Sequence, residues 1–61
     1  MKVLRLSAVV KVTGLARSTI YKLIGSGDFP RPVSLTGRCV GWIECEVNVW
    51  IRSRIEERDR G

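Results

Sequence analysis

A run of hydrogen-bond donors is the stretch of this sequence best suited to chemistry. From position 17 to position 22, five of the six side chains can donate a hydrogen bond and none is a carboxylate. Phosphate oxygens and purine edges present acceptors to such side chains. The donors are Arg17, Ser18, Thr19, Tyr21 and Lys22. The stretch therefore predicts a contact with double-stranded DNA.

Each donor also has a purely structural interpretation, which the sequence leaves open. Ser18 and Thr19 are as well suited to capping a helix as to contacting phosphate. Tyr21 follows an apolar residue, so it could pack at the edge of the core. Lys22 could be an ordinary solvated lysine. Arg17 could be a solvated surface arginine, but a positive charge at a helix start opposes the helix dipole, which favours a role in binding over one in stability.

Groups that do catalysis or hold metals are scarce. The chain has no histidine, which removes the commonest general base and metal ligand. Cys39 and Cys45 fit neither a zinc spacing nor a disulfide framework and are expected to be packed thiols. Glu44 and Glu46, two positions apart on a predicted helix, point in different directions. We expect no enzyme, no metal, no cofactor and no small-molecule substrate.

Positive charge is concentrated in the first part of the chain. Residues 1–43 contain seven Lys or Arg against Asp28 alone, a net charge of +6, whereas residues 44–61 have a net charge of −1. This asymmetry is typical of a protein with a polyanionic partner. No apolar run approaches the roughly 20 residues that cross a bilayer, and the N-terminus lacks a signal-peptide core. We expect a cytoplasmic protein with no membrane partner.

Two short helices and a glycine turn would position the donors. Ser7 is the expected N-cap of a first helix over roughly residues 8–13, and Gly14 suits the left-handed residue that ends it. A second helix is predicted over about residues 17–25. Its buried face would be formed by Ile20, Leu23 and Ile24. This is the helix-turn-helix layout, whose second helix can enter a major groove.

A β-hairpin is predicted after the second helix. Glycines break that helix at positions 25–27, and an extended connector over 28–32 should bury Phe29. Two alternating runs around Thr36-Gly37 then predict a hairpin over residues 33–42. Arg38, next to Gly37 in the turn, is expected to reach a phosphate or the minor groove. Residues 3–6 are either a strand or an apolar staple onto the first helix.

A third helix is predicted from about position 44. Its apolar stripe is Ile43, Val47, Trp50, Ile51 and Ile55. Both tryptophans, Trp42 and Trp50, are interpreted as core residues rather than as base-stacking platforms. The charged end over about residues 57–61 is expected to fray. The sequence thus predicts one mostly α domain over residues 1–61, a winged helix-turn-helix with a small β-hairpin.

The sequence resembles the AlpA-type regulators of prophages and integrative elements, which are related to MerR-like winged-helix proteins and to phage excisionases. The resemblance rests on four blocks in order. They are Thr13-Gly14-Leu15 with Arg17-Ser18-Thr19-Ile20-Tyr21; Gly27-Asp28-Phe29-Pro30; Gly37-Arg38; and Gly41-Trp42 with Glu46-Val47 and Trp50.

The resemblance implies a DNA-binding regulator of element genes, often the integrase gene, or an excision factor. It also implies that the donors at positions 17, 18, 19, 21 and 22 face DNA, with Gly37 and Arg38 at the wing tip. Many members of the family have serine where this chain has Ala16, so a capping hydroxyl is missing. Either Ser18 or Thr19 compensates for it locally, or the second helix is less well fixed before DNA binds.

Two further alternatives remain from the sequence. The chain could instead be a protein-interaction module, such as a phage-encoded inhibitor that docks on an acidic host protein.

If it binds DNA, so small a domain reads few base pairs, and no heptad repeat supports a coiled-coil dimer. We therefore expect a monomer, or at most a weak dimer, whose copies bind side by side on repeated sites. Val49 is either a weak contact between such copies or an isolated apolar surface residue.

Overall fold

Three helices and three short strands make up the chain, and the computed structural model describes all of residues 1–61. In order they are β1 Val3–Leu4, α1 Leu6–Thr13, α2 Arg17–Gly25, β2 Val33–Ser34, β3 Val40–Ile43 and α3 Glu44–Arg60. The predicted class is confirmed: the molecule is mostly helical with a small antiparallel sheet, as in a winged helix-turn-helix.

The turn between α1 and α2 is closed by local hydrogen bonds. Gly14 has a φ of 72°, the left-handed conformation expected of it, and its N–H donates to the Val10 carbonyl at 2.8 Å. The Thr13 hydroxyl donates to the Val9 carbonyl at 2.8 Å and accepts from the Leu15 N–H at 3.2 Å. These bonds fix the direction in which α2 leaves the turn.

The start of α1 differs from the prediction. The helix begins at Leu6, with Arg5 at the N-cap position and no side-chain cap. Ser7, the predicted cap, lies inside the first turn. The Arg5 carbonyl accepts from the N–H groups of Ala8 and Val9 at 3.0 Å each. Only Arg5 separates Leu6 from β1, so the pairing of β1 with β3 places the start of the helix before Ser7.

The end of α2 agrees with the prediction. Gly27 has a φ of 81°. Its N–H donates to the Ile24 carbonyl at 3.1 Å, and the Asp28 N–H donates to the Leu23 carbonyl at 2.8 Å. This pair of bonds is a Schellman motif, which ends a helix on a left-handed glycine.

Strand β3 is the centre of a three-stranded sheet with the order β1-β3-β2, and both pairings are antiparallel. Leu4 pairs with Trp42, and Val33 pairs with Gly41. The predicted hairpin is confirmed but is shorter than expected, because residues 35–39 form the turn. The N-terminal segment, left open as a strand or a staple, is a strand.

Gly41 allows the sheet to close. A Cβ at this position would overlap the Val3 Cγ1 methyl and would lie 3.2 Å from both Leu35 Cδ1 and the Leu4 carbonyl oxygen. No side chain fits between the two flanking segments, so the close approach requires glycine.

The core draws on every helix, on two strands and on the connector. It consists of Leu4, Val9, Ile20, Phe29, Trp42 and Val47. Trp42 is fully buried, whereas Trp50 is only partly buried against this cluster. The predicted stripe on α3 is likewise only partly covered, because Ile55 is 44% exposed. Ile55 still borders a groove that Val12 and Leu15 also line, but these residues cover it only in part.

The end of α3 remains helical to Arg60, where the sequence predicted fraying from about residue 57. Every side chain from Arg52 onward is exposed, so fraying of this end stays a prediction about motion. None of the helices combines the length and the apolar character required to cross a bilayer.

Both indole N–H groups hold the connector between α2 and β2. Trp42 Nε1 donates to the Pro30 carbonyl at 3.0 Å, and Trp50 Nε1 donates to the Asp28 carbonyl. Between these points Phe29 is buried, with its ring edge-on to Trp50 at 4.8 Å between centroids. The connector therefore fixes the wing relative to α2 even though it has no regular secondary structure.

Candidate nucleic-acid interface

Helix α2 is anchored by one face and presents its donors on the other. Ile20 is fully buried in the core, and Leu23 and Ile24 pack against the core cluster. All five predicted donors, Arg17, Ser18, Thr19, Tyr21 and Lys22, are exposed. The structure therefore brings the predicted site residues of α2 together on one accessible surface.

Capping does not occupy the two hydroxyls. Ala16 is the N-cap residue of α2, with an extended backbone at φ −69° and ψ 154°, and no side chain caps the helix. The hydroxyls of Ser18 and Thr19 form no hydrogen bond within the chain, so they do not replace the missing cap. The first backbone N–H with a partner at this helix start belongs to Ile20, which donates to the Ala16 carbonyl at 3.0 Å. Hydroxyls and N–H groups at a helix start are both suited to an anion.

The position of Tyr21 is compatible with both interpretations that the sequence left open. Its side chain is 50% exposed, while its ring lies edge-on to Trp42 with 6.5 Å between centroids. The contact with a buried tryptophan restricts the orientation of the ring, and the exposed half remains accessible beside the other donors of α2.

The wing tip is a tight, exposed turn. Cys39 closes it, since its carbonyl accepts from the N–H groups of Leu35 at 2.7 Å and Thr36 at 3.2 Å. The Ser34 hydroxyl adds a hydrogen bond to the Thr36 carbonyl at 3.1 Å. Gly37 and Arg38 lie at the exposed end of this turn. The predicted wing residues are therefore separate from the α2 donors in sequence but share with them an accessible, basic character.

The basic side chains of residues 1–43 and those of α3 differ in ion pairing. The two salt bridges are both on α3: Arg54 with Glu57 at 2.7 Å and Arg58 with Asp59 at 3.0 Å. None of the seven basic side chains in residues 1–43 has such a partner. Asp28, the single acid in that part, accepts a hydrogen bond from the Ser26 hydroxyl at 2.9 Å instead. The positive charge around α2 and the wing is therefore not neutralised within the chain.

The structure assembles no cluster of potential metal ligands. No three His, Cys, Asp or Glu side chains lie close enough together to hold a metal ion. Cys39 and Cys45 are free thiols, the first half-buried and the second exposed. The expected packing is therefore wrong for Cys45, which lies on the solvent side of the first turn of α3. The grooves of the surface are open rather than enclosed. Convex donor-bearing elements such as α2 and the wing are suited to the grooves and phosphates of a duplex.

Sequence reasoning assigned no role to Arg31 or to Gly41. Arg31 is exposed at the base of the wing, and only its contribution to the net charge signalled it. Gly41 stood within one of the motif blocks, but its physical reason, the close approach of Val3, depends on strand pairing that no local pattern shows.

Comparisons with known proteins identify related sequences. Residues 2–55 match the family model described as prophage CP4-57 regulatory protein (AlpA). An uncharacterized protein, ORF88, of Enterobacteria phage P4 is 50% identical over 58 residues, which cover 95% of this chain and 66% of that protein. The DNA-binding transcriptional activator AlpA of Escherichia coli K12 is 38% identical over 60 residues, covering 88% of this chain and 86% of that protein. The chain thus spans just under two thirds of the length of the phage P4 relative.

Proposed function

Because the chain belongs to the AlpA family of prophage regulatory proteins, we propose that it binds double-stranded DNA through α2 and the wing and regulates genes of a phage or integrative element. The observation that carries the proposal is the donor-bearing face of α2, exposed and without an ion-pair partner. The relative from Escherichia coli is described as a DNA-binding transcriptional activator, which supports the same role here.

The roles of the α2 residues follow from their chemistry and position. Arg17 has the forked donors that read a guanine edge. Ser18 and Thr19, with free hydroxyls at the helix start, contact phosphate oxygens. Tyr21 places its exposed edge in the groove, and Lys22, one turn beyond Ser18, adds a charged contact to the backbone.

The wing supplies a second contact. Gly37 keeps its tip narrow, and Arg38 reaches a phosphate or the adjacent minor groove. A charge contact of this kind strengthens binding to all sequences and fixes the orientation of α2 in its groove.

The same surfaces serve two biological roles. A transcriptional regulator, for example of an integrase gene, and an excisionase-type accessory factor both need a recognition helix and a wing. They differ in where their target sites lie relative to promoters and recombination sites. We place the protein in the cytoplasm, where that DNA is found.

The proposal also includes the binding of several copies to one stretch of DNA. A single small domain covers on the order of 600–1,000 Å² of its own surface on DNA. A surface of that size reads only a few base pairs, too few to select one genomic site. We propose that copies bind repeated sites side by side, so that the array supplies the specificity.

The test combines selection and footprinting. Random duplexes are selected for binding, and the recovered motif is compared with the footprint on DNA around the protein's own gene and a neighbouring integrase gene. A motif that recurs within one protected region, and changes in integrase transcription or in excision when it is altered, is the expected result. Recovery of no motif, together with salt-sensitive capture of one acidic protein, would instead identify a protein-interaction module.

A further inference from the structure

Val49 lies on an extended surface rather than alone. It is 63% exposed and borders three adjoining grooves of the molecule. One of these grooves runs between the base of the wing and the first turns of α3. We refer to its lining as the Val49 surface: Pro30, Arg31, Val33, Cys45, Glu46 and Val49.

The Val49 surface has an apolar centre with an unpaired charge of each sign. Val33 is 43% exposed, and Cys45 and Val49, four residues apart on α3, lie on the same side of that helix. Arg31 and Glu46 line the same groove, yet neither forms a salt bridge, since both salt bridges of the chain join other residues. Each charge is therefore available to a partner.

These features make the surface complementary to itself. In a two-fold contact the same patch is used on both copies, so residue i of one faces residue j of the other and the reverse. Arg31 of each copy would face Glu46 of the other, giving two ion pairs around apolar side chains from both copies. We propose that the Val49 surface binds the Val49 surface of a second copy when two copies occupy neighbouring sites on DNA.

This contact rests on the proposed function for its setting, because its size makes it weak in free solution. Six lining residues on each copy bury far less than the roughly 1,000 Å² of a stable interface. DNA raises the effective concentration of one copy beside another, and this can amplify a weak contact by about 10²-fold or more. The two-fold symmetry predicts cooperative binding to inverted pairs of sites, since site symmetry mirrors protein symmetry. A two-fold contact closes after two copies, so within an array of repeated sites it joins the copies in pairs.

Charge exchange tests the contact on DNA. Gel shifts compare duplexes with one selected site and with two sites, inverted or direct, at the best spacing. Arg31→Glu and Glu46→Arg should each lose at least about tenfold of the cooperativity on inverted sites, and the double variant should regain it. Glu46→Arg is the most informative, because its added positive charge should strengthen binding to a single site while cooperativity falls. Unchanged cooperativity in both single variants, or cooperativity confined to direct repeats, would overturn the proposal.

Val49 provides a second test through its apolar contact. Val49→Glu places two like charges at the centre of the proposed interface and should abolish cooperativity. Its added negative charge should lower single-site affinity modestly, and a control variant measures that part of the effect. The matched control is Val12→Glu, which makes the same change at a half-exposed valine on α1, outside the Val49 surface. Equal loss of cooperativity in both variants would contradict the proposal.

Cross-linking tests the contact without reference to DNA binding. In a Cys39→Ser variant, Cys45 is the single thiol, and a short bismaleimide should join two copies at high protein concentration. Cys45→Ser and the combined Cys39→Ser, Val49→Glu variant should give no such product. A product that persists with Val49→Glu would show that the contact lies elsewhere. If selection recovers no DNA motif, the proposed function fails, and this cross-link still decides whether the two copies meet at the Val49 surface.

Discussion

At the scale of single residues, basic side chains on α2 and the wing differ from those on α3. Arg17, Lys22 and Arg38 are exposed and unpaired, whereas Arg54 and Arg58 are already engaged with neighbouring carboxylates. Unpaired donors lose no internal ion pair when they meet DNA. Substitution of the basic residues on α2 and the wing should therefore weaken DNA binding more than substitution of those on α3.

Removing the proposed DNA contacts should weaken binding without affecting the fold. Arg17→Ala should relax specificity at one base pair by about 1–3 kcal/mol if it reads a guanine edge. Arg38→Ala should weaken all sequences similarly and make the slope of log affinity against log salt shallower by about one. Lys22→Ala should also weaken binding. Gel shifts across a salt series measure each effect.

Arg52→Ala is the matched control for these variants. Arg52 is exposed and has no salt bridge, but it lies on α3. It removes the same charge and should have a smaller effect than Arg17→Ala or Arg38→Ala. Equal affinity of all four variants for the selected site would exclude α2 and the wing as the DNA-binding surface.

The two tryptophans should differ in their contribution to stability. Trp42 is fully buried and donates to Pro30, so Trp42→Ala should cost about 3–5 kcal/mol, comparable to the whole stability of a small domain. Trp50 is only partly buried, and Trp50→Ala should cost about half as much. Urea unfolding followed by circular dichroism measures both. A Trp42→Ala protein with a wild-type midpoint would contradict its assignment to the core.

At the scale of the elements, α2 is a recognition helix with an incomplete start. Ala16 already has the extended backbone of an N-cap residue, and its carbonyl accepts from the Ile20 N–H, but it has no side-chain oxygen to cap the helix. Ala16→Ser should therefore stabilise the protein by about 1 kcal/mol. Thermal unfolding tests this, with Ser18→Ala as the control, because the Ser18 hydroxyl caps nothing. Destabilisation by Ser18→Ala comparable to the gain from Ala16→Ser would show that Ser18 is the working cap.

The pairing of β1 with β3 depends on the absence of a side chain at Gly41. Gly41→Ala forces Val3 away from β3 and presses on the Leu4 carbonyl, so it should destabilise the fold by about 1–3 kcal/mol. Gly37→Ala is the control, because nothing lies within 4 Å of a Cβ at that position and its φ is not left-handed. Equal melting temperatures for the two variants would mean that β1 moves away from the sheet without cost.

At the scale of the whole molecule, the chain is a small body with one helix that extends past its core. Its principal extents are 41 × 25 × 19 Å, and α3 is exposed along its final turns. Such a molecule covers a short stretch of duplex and offers few contacts. Its selectivity is therefore expected to depend on the number of copies that bind together.

The expected solution state follows from this. Sedimentation without DNA should show a monomer, or at most a weak dimer. Affinity for DNA should rise by about 10²-fold when a second site is added at the correct spacing, because the two copies then bind cooperatively. A tight dimer in free solution, or nanomolar binding to one isolated site that a second site does not improve, would contradict this expectation.

Much of the helix-turn-helix was predictable because its signals are local. Gly14 and Gly27 end their helices in the left-handed conformation, which few other residues adopt without strain. The burial of Ile20 fixes which face of α2 meets the core, and the exposure of the five donors follows from a helical repeat of 3.6 residues. The sequence by itself therefore determined the bounds of α2 and the face it presents to solvent.

Tertiary structure decided what depends on residues far apart in the chain. Pairing of Leu4 with Trp42 draws the N-terminus into the sheet and starts α1 before Ser7. The same pairing makes Gly41 necessary. Hydrogen bonds from the two indole N–H groups fix the connector. The packing of distant elements leaves Ile55 only partly covered. A local sequence pattern indicates which side chains prefer burial. Which residues bury them depends on contacts between segments far apart in the chain, and these form only in the folded molecule.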